Sequence, residues 1–303
     1  MIKRTIFISN PAKLSVKNLQ LIVKTGSETE GNEVVREIPI EDIGILLLEH
    51  PQINLTHVLI STLMENNTIV ITCNNKFMPS GITIPFEGNS LLNRRYKTQI
   101  NASEPLKKNL WQQVIKAKIL NQAGLLERYN INVQPMKIFA VEVLSGDSKN
   151  CEGAAARYYW DNIFTTMLVQ FRRDRYGEDP NNALNFVYAI LRSIMARAIV
   201  GSGLLPALGI HHRNKYNAYC LADDLMEPFR PFADSIVLEM IKSKTDLSEL
   251  NKQLKAKLLG IATMDVNIGN ERSPLIIASQ KVTSSLVACF EGSSRKLELP
   301  VLK

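Results

Sequence analysis

The sequence predicts an α+β protein in two domains, a small N-terminal β domain followed by an all-α C-terminal lobe. Three observations lead there. The chain has 303 residues, enough for two domains at roughly 100–200 residues each. Its apolar residues fall in short β-branched runs at first, then recur at helical spacing beyond residue 90. Apolar residues make up 45% of the chain and charged residues 21%, so a sizeable core is available and disorder is excluded.

Each element follows in order. Thr5-Ile-Phe-Ile-Ser is a short β-branched and aromatic run, and Leu19-Gln-Leu-Ile-Val-Lys is a second. Residues 34–40 alternate imperfectly, and Ile43-Gly-Ile-Leu-Leu-Leu has the continuous apolarity of a buried strand. Residues 26–32 make a polar turn. Leu55, Val58, Leu59, Thr62 and Leu63 recur at helical spacing, which predicts one helix over 55–66. Strand character resumes at Thr68-Ile-Val-Ile-Thr-Cys, and Pro79, Gly81 and Pro85 punctuate the exit. Residues 91–118 then carry Arg94, Arg95, Lys97, Lys107, Lys108, Lys116 and Lys118 against one acid, Glu104. Trp111, Val114, Ile115, Lys118 and Ile119 share a face, predicting a helix over 106–126. Its basic side is either a solvated face or a phosphate-tracking patch. Further helices are predicted over 151–175, 181–202, 232–242, 247–258 and 282–290. The 181–202 segment is apolar almost all round, as a central bundle helix would be.

Charge and punctuation narrow the function. The net charge of +7 favours polyanionic partners. The basic residues are spread along the chain rather than gathered in an amphipathic anchor, and no apolar run approaches the ~18 residues of a membrane span. The N-terminus lacks a secretory core. Cys73, Cys151, Cys220 and Cys289 form no CxxC pair, so neither a disulfide framework nor a zinc site is expected. The expectation is a cytoplasmic protein with reduced thiols and no membrane partner. Phosphate-loop, H-E-x-x-H and G-x-S-x-G patterns are absent.

One stretch concentrates chemistry. Asp223-Asp-Leu-Met-Glu-Pro-Phe-Arg-Pro231 packs three carboxylates into five residues, and His211 and His212 lie just upstream. Asp224-Leu-Met-Glu227 also fits a helix cap, which would account for Asp224 better than for Asp223. Pro228 removes a donor where a cap is meant to satisfy one, a costly start for a helix. Glu152 stands in the first turn of a predicted helix, where the helix dipole favours an acid. It is followed by Gly153 and three alanines, small residues that admit another backbone and leave the charge in need of a partner. Carboxylates with histidine suit Mg²⁺ or Mn²⁺ more than zinc, and in a basic protein they point to phosphodiester chemistry.

Glu152-Gly-Ala-Ala-Ala-Arg-Tyr-Tyr-Trp160, Gly209-Ile-His-His212 and Asp224-Leu-Met-Glu-Pro-Phe-Arg-Pro231 resemble the three signature blocks of the CRISPR-associated integrase (Cas-one) family. Ile38-Pro-Ile-Glu-Asp-Ile-Gly44 resembles its N-terminal domain, and the segment 111–123 resembles its linker-side helix. The length and the Glu-Pro-Phe-Arg-Pro form resemble members from type II systems. The resemblance implies an N-terminal β-sandwich dimerisation domain over 1–88, a linker over 89–105 and an α-helical catalytic domain over 106–303. It implies a homodimer that joins the second Cas protein (Cas-two) in a heterohexamer holding double-stranded protospacer DNA. Other type II adaptation proteins are further candidate partners.

The implied activity is metal-dependent integration of protospacer DNA at a CRISPR repeat by 3′-hydroxyl transesterification, or endonuclease cleavage when water replaces the hydroxyl. The alternatives are a DNA-binding scaffold and a nuclease without integrase activity. The implied ligands of Mg²⁺ or Mn²⁺ are Glu152, His212 and Glu227, with His211 as the alternative histidine and Asp223 and Asp224 as alternative acids. Asp224 keeps the capping role, Asp223 has no assigned role, and Arg230 either braces the acids or reaches for phosphate. Candidate DNA contacts are Arg94, Arg95, Arg172, Arg173, Arg175, Arg213, Lys215 and Arg230.

Overall fold

Strands β1 (Arg4–Ile8), β2 (Ala12–Lys17), β3 (Gln20–Thr25), β4 (Val34–Pro39), β5 (Ile43–Leu48), β6 (Ile53–Leu55), β7 (Ile69–Cys73) and β8 (Pro79–Thr83), with helix α1 (His57–Glu65), build the first of two units, Met1–Ser90. The computed structural model describes residues 3–26, 33–86, 89–164, 171–174 and 176–302. The strands form two four-stranded sheets, ordered β1-β5-β7-β8 and β4-β3-β2-β6. β5 is buried at all six positions, as its unbroken apolar run requires of a strand paired in parallel on both sides. Ile8, Leu46 and Val70 of one sheet share a core with Leu14, Leu21 and Val23 of the other and with Leu59 and Leu63 of α1. The Thr56 hydroxyl caps α1 by accepting from the Leu59 amide. β2 and β3 meet through Asn18 and Leu19, both at positive φ, the conformation a two-residue hairpin loop needs.

The second unit, Leu91–Lys303, contains α2 (Leu92–Ile100), α3 (Glu104–Arg128), α4 (Gln134–Glu142), α5 (Cys151–Ile163), α6 (Asn181–Gly201), α7 (Cys220–Met226), α8 (Arg230–Lys242), α9 (Lys252–Leu259) and α10 (Leu275–Phe290). It is not all-α. Three short strands, β9 (Asp265–Ile268), β10 (Glu271–Pro274) and β11 (Pro300–Val301), form a small sheet in the order β10-β9-β11. Nor are residues 89–105 a bare linker. α2 lies there, and its Gln99 amide donates to the carbonyls of Leu205 and Leu208 and accepts from the Leu205 amide.

Of the helix expected over 151–175, α5 ends at Ile163, and residues 165–170 and 175 lie outside the described residues. Phe164 is buried and stacks on Phe171, and residues 171–174 are not helical. α6 has the length and apolarity of a membrane-spanning segment, yet 83% of its most apolar window is buried inside the protein. It is the core helix of this unit.

α3 starts at Ser103, whose hydroxyl accepts from the Leu106 amide, with Pro105 in the first turn. Its buried side carries Asn121 among apolar residues. The Asn121 amide donates to the carbonyls of Pro228 and Pro300, and its oxygen accepts from the Leu302 amide. One side chain thereby holds both the 227–229 turn and the C-terminal segment against α3. Gly124, one turn along, is required there, because a Cβ would stand 2.6 Å from the Leu302 carbonyl oxygen.

Candidate active site

Glu152 comes from the first turn of α5, but it does not cap that helix. The α5 amides are served by others. The Asp147 carboxylate accepts from Cys151 and Glu152, and the Asn150 side chain accepts from Gly153. The Glu152 carboxylate is therefore spare, and its Oε1 lies 2.6 Å from Lys118 Nζ.

Glu227 stands in the 3₁₀ turn Glu227–Phe229 between α7 and α8 and is 4% exposed. Its Oε2 is 2.6 Å from the same Lys118 Nζ, and its Oε1 is 2.9 Å from Arg230 Nε. Two glutamates from distant segments thus meet on one lysine ammonium. Burial alone would raise the Glu227 pKa, but Arg230 and Lys118 outweigh it and hold the carboxyl below the usual range. Burial likewise opposes the Lys118 charge, yet Glu227 and Glu152 together raise its pKa.

His212 leaves the loop after α6. Its Nδ1 is 2.6 Å from Asp224 Oδ1, and the backbone amides of His211 and His212 also donate to the Asp224 carboxylate. Asp224 sits inside α7 and is fully buried, so it is no helix cap. It anchors the histidine loop and leaves His212 Nε2 as the ring nitrogen available to a ligand. The hydrogen bond to Asp224, opposed by burial and aided by the charges of Asp224 and Glu227, raises the His212 pKa. His211 differs. Its ring stacks flat on Trp111 at 4.2 Å, and burial lowers its pKa. Gly209 is required for this loop, because a Cβ there would stand 2.5 Å from the His212 carbonyl oxygen and 2.6 Å from Asp224 Oδ2.

Asp223 points to other partners. Its carboxylate lies 2.6 Å from Arg192 Nε and accepts from the Asn217 amide at 2.7 Å, tying the 213–219 loop to α6. Arg230 lies over the Tyr188 ring at 4.7 Å while pairing with Glu227, so it braces the acid. The hydroxyls of Tyr188 and Tyr159 both donate to Asp234, which burial pushes up to about 6.

The basic candidates divide in two. Arg173 lies over Tyr188 and donates to Asn181 and Asn185, and Arg95 donates to the Ser202 carbonyl. Both are drawn inward. Arg94, Arg172, Arg213 and Lys215 are exposed, Arg94 near Glu291 and Arg213 against Glu104. Arg175 lies outside the described residues.

Among the described residues, no three His, Cys, Asp or Glu side chains are grouped closely enough to hold a metal ion as they stand. The donor set nevertheless fits a hard divalent cation. Two carboxylates already share one cationic centre, and an imidazole fixed by a buried aspartate stands within the field of Glu227. The residue that sequence reasoning missed is Lys118. Its signal is a charged side chain on the same helical face as Trp111, Val114, Ile115 and Ile119, which calls for a buried partner.

Buried acids, a braced histidine and exposed arginines make a site suited to a phosphate-bearing substrate. The chain belongs to the CRISPR associated protein Cas1 family, whose model matches residues 6–264. It is 33% identical over 300 residues to the CRISPR-associated endonuclease Cas1 of Neisseria meningitidis serogroup C, covering 98% of this chain and 95% of that one. Its fold is similar to a casposase bound to integration product, with a TM-score of 0.79 at 21% identity over 98% of this chain and 92% of that one. A chain of a Cas6-RT-Cas1–Cas2 complex is also similar, with a TM-score of 0.75 at 18% identity over 97% of this chain and 35% of that one.

Proposed function

We propose that this Cas1-family chain is a DNA endonuclease and integrase of CRISPR adaptation, inserting protospacer DNA into a repeat by 3′-hydroxyl transesterification. The observation that carries the reading is the meeting of Glu152 and Glu227 on one cationic centre, with a histidine held by Asp224 in the field of Glu227. Glu152, His212 and Glu227 would hold Mg²⁺ or Mn²⁺. When bound, such a cation activates the attacking hydroxyl and stabilises charge on the scissile phosphate. The chain's own residues prepare the rest. Asp224 fixes the His212 ring through Nδ1, which leaves Nε2 as the nitrogen for a metal. Arg230 and Tyr188 hold Glu227 in place. Arg94, Arg172, Arg213 and Lys215 are exposed, in position to track the phosphate backbone. The Arg213–Glu104 pair is exposed and weak enough to exchange for phosphate.

The same reading makes the first unit a dimerisation domain. β4 is the edge of its sheet, and its exposed Val34 and Val35 offer apolar surface to a second copy. Homodimers would join Cas2 in a heterohexamer, in keeping with the fold likeness to a chain of a Cas1–Cas2 complex. A type II origin is compatible with the Neisseria relative. The cytoplasm is the expected compartment.

The test offers wild type and Glu152→Ala a duplex with free 3′-hydroxyls and a repeat-bearing plasmid, with Mn²⁺ or with chelator. Metal-dependent joining that disappears in the variant is the expected result. Joining that survives removes Glu152 from the site. Cutting without joining identifies a nuclease only, and DNA binding with neither identifies a scaffold.

A further inference from the structure

We infer that Lys118 is a resident counter-ion which a divalent cation must displace from Glu152 and Glu227. The inference rests on the reading of those glutamates as metal ligands and adds a residue that the reading does not include. Lys118 is 8% exposed on the buried side of α3, a charged side chain among uncharged ones. A lysine is seldom buried unless it is paired, and this one is paired twice, at 2.6 Å to each glutamate. With Arg230 on the other Glu227 oxygen, two cations face two carboxylates. The group is neutral and closed as it stands.

A divalent cation would use the same carboxylate oxygens that Nζ now holds at 2.6 Å. Two positive charges on the same oxygens repel, most strongly where the pair is buried, as Lys118 and Glu227 are. Occupancy is therefore an exchange: the cation enters, and Nζ leaves both glutamates. Two consequences follow. The acids stay assembled in metal-free protein, where bare paired carboxylates would repel each other. Metal affinity is also held below what the ligand set alone would give.

The experiment is calorimetric titration of the full chain with Mn²⁺, together with thermal unfolding with and without the ion, for wild type and Lys118→Met. Lys118→Met should bind Mn²⁺ roughly tenfold tighter or more. It should melt lower than wild type without metal, and saturating Mn²⁺ should close that gap. Lys118→Arg, which keeps the charge, should bind no tighter than wild type. Lys118→Gln should follow Lys118→Met, and it replaces that variant if the methionine form does not fold. Equal or weaker Mn²⁺ binding by both uncharged variants overturns the exchange while leaving the ligand reading intact. Mn²⁺ binding by none of the proteins, or undiminished binding by Glu152→Gln, overturns the ligand reading and this inference with it.

Discussion

Asp224→Asn is a one-atom change whose effect follows from three hydrogen bonds. The wild-type carboxylate accepts from the His211 amide at 2.9 Å, the His212 amide at 3.2 Å and His212 Nδ1 at 2.6 Å, all while fully buried. An asparagine can keep its oxygen toward His212. Its NH₂ group then faces the His211 amide, donor against donor, and that amide loses its partner. An unsatisfied buried donor costs about 1–3 kcal/mol, and each bond to His212 weakens from charge-assisted to neutral. The sum is about 3 kcal/mol, or a fall in Tm of about 10 °C for a unit of this size. The assay is urea unfolding followed by tryptophan fluorescence. Both tryptophans, Trp111 and Trp160, lie in the second unit, and Trp111 stacks on His211, so the signal reports this region. The variant should also lose the raised His212 pKa, seen by ring proton resonances. Stability within about 1 kcal/mol of wild type, with an unchanged His212 titration, would show that Asp224 does not hold the loop.

Asp234 supplies a pH dependence. Its folded pKa of about 6 lies above the unfolded value, so its contribution is full below about pH 4 and lost as pH rises through about 6. Asp234→Asn should flatten that part of the stability–pH curve, measured by urea midpoints at successive pH values. Asn121→Ala removes three hydrogen bonds shared by the 227–229 turn and the C-terminal segment, and should lower stability by about 2–4 kcal/mol in the same assay. Arg94→Ala and Lys215→Ala should each reduce the slope of log K against log salt for duplex DNA by about one, measured by fluorescence anisotropy. The inward Arg173 should leave that slope unchanged when replaced by lysine.

Legibility in the sequence followed the range of the forces involved. β5 was readable because Ile43-Gly-Ile-Leu-Leu-Leu is apolar throughout, whereas β2 escaped because its only full burials are Ala12 and Leu14 amid lysines and serine. β9, β10 and β11 are four residues or fewer, too short for a periodic signal; β9 and β10 form a local hairpin, and β11 exists through pairing with the distant β9. The expectation for α5 ran past Ile163 because the apolar run continues there; the helix ends at Ile163, and Phe164 stacks on Phe171. At the site, the positions of Glu152, His212 and Glu227 stood out as residues, but their surroundings did not. Asp224 satisfied a local capping pattern while its partners lay 12 and 13 residues upstream. Lys118 is 34 residues from Glu152, and no local rule links them.

The most direct test of the account is where a divalent cation binds. A crystal grown with Mn²⁺ and examined at the manganese absorption edge should show one anomalous peak about 2 Å from carboxylate oxygens of Glu152 and Glu227 and from His212 Nε2, with Lys118 Nζ withdrawn from both acids. A peak at Asp223 or elsewhere in the chain, or none at saturating Mn²⁺ with the Lys118 ion pairs intact, would contradict it.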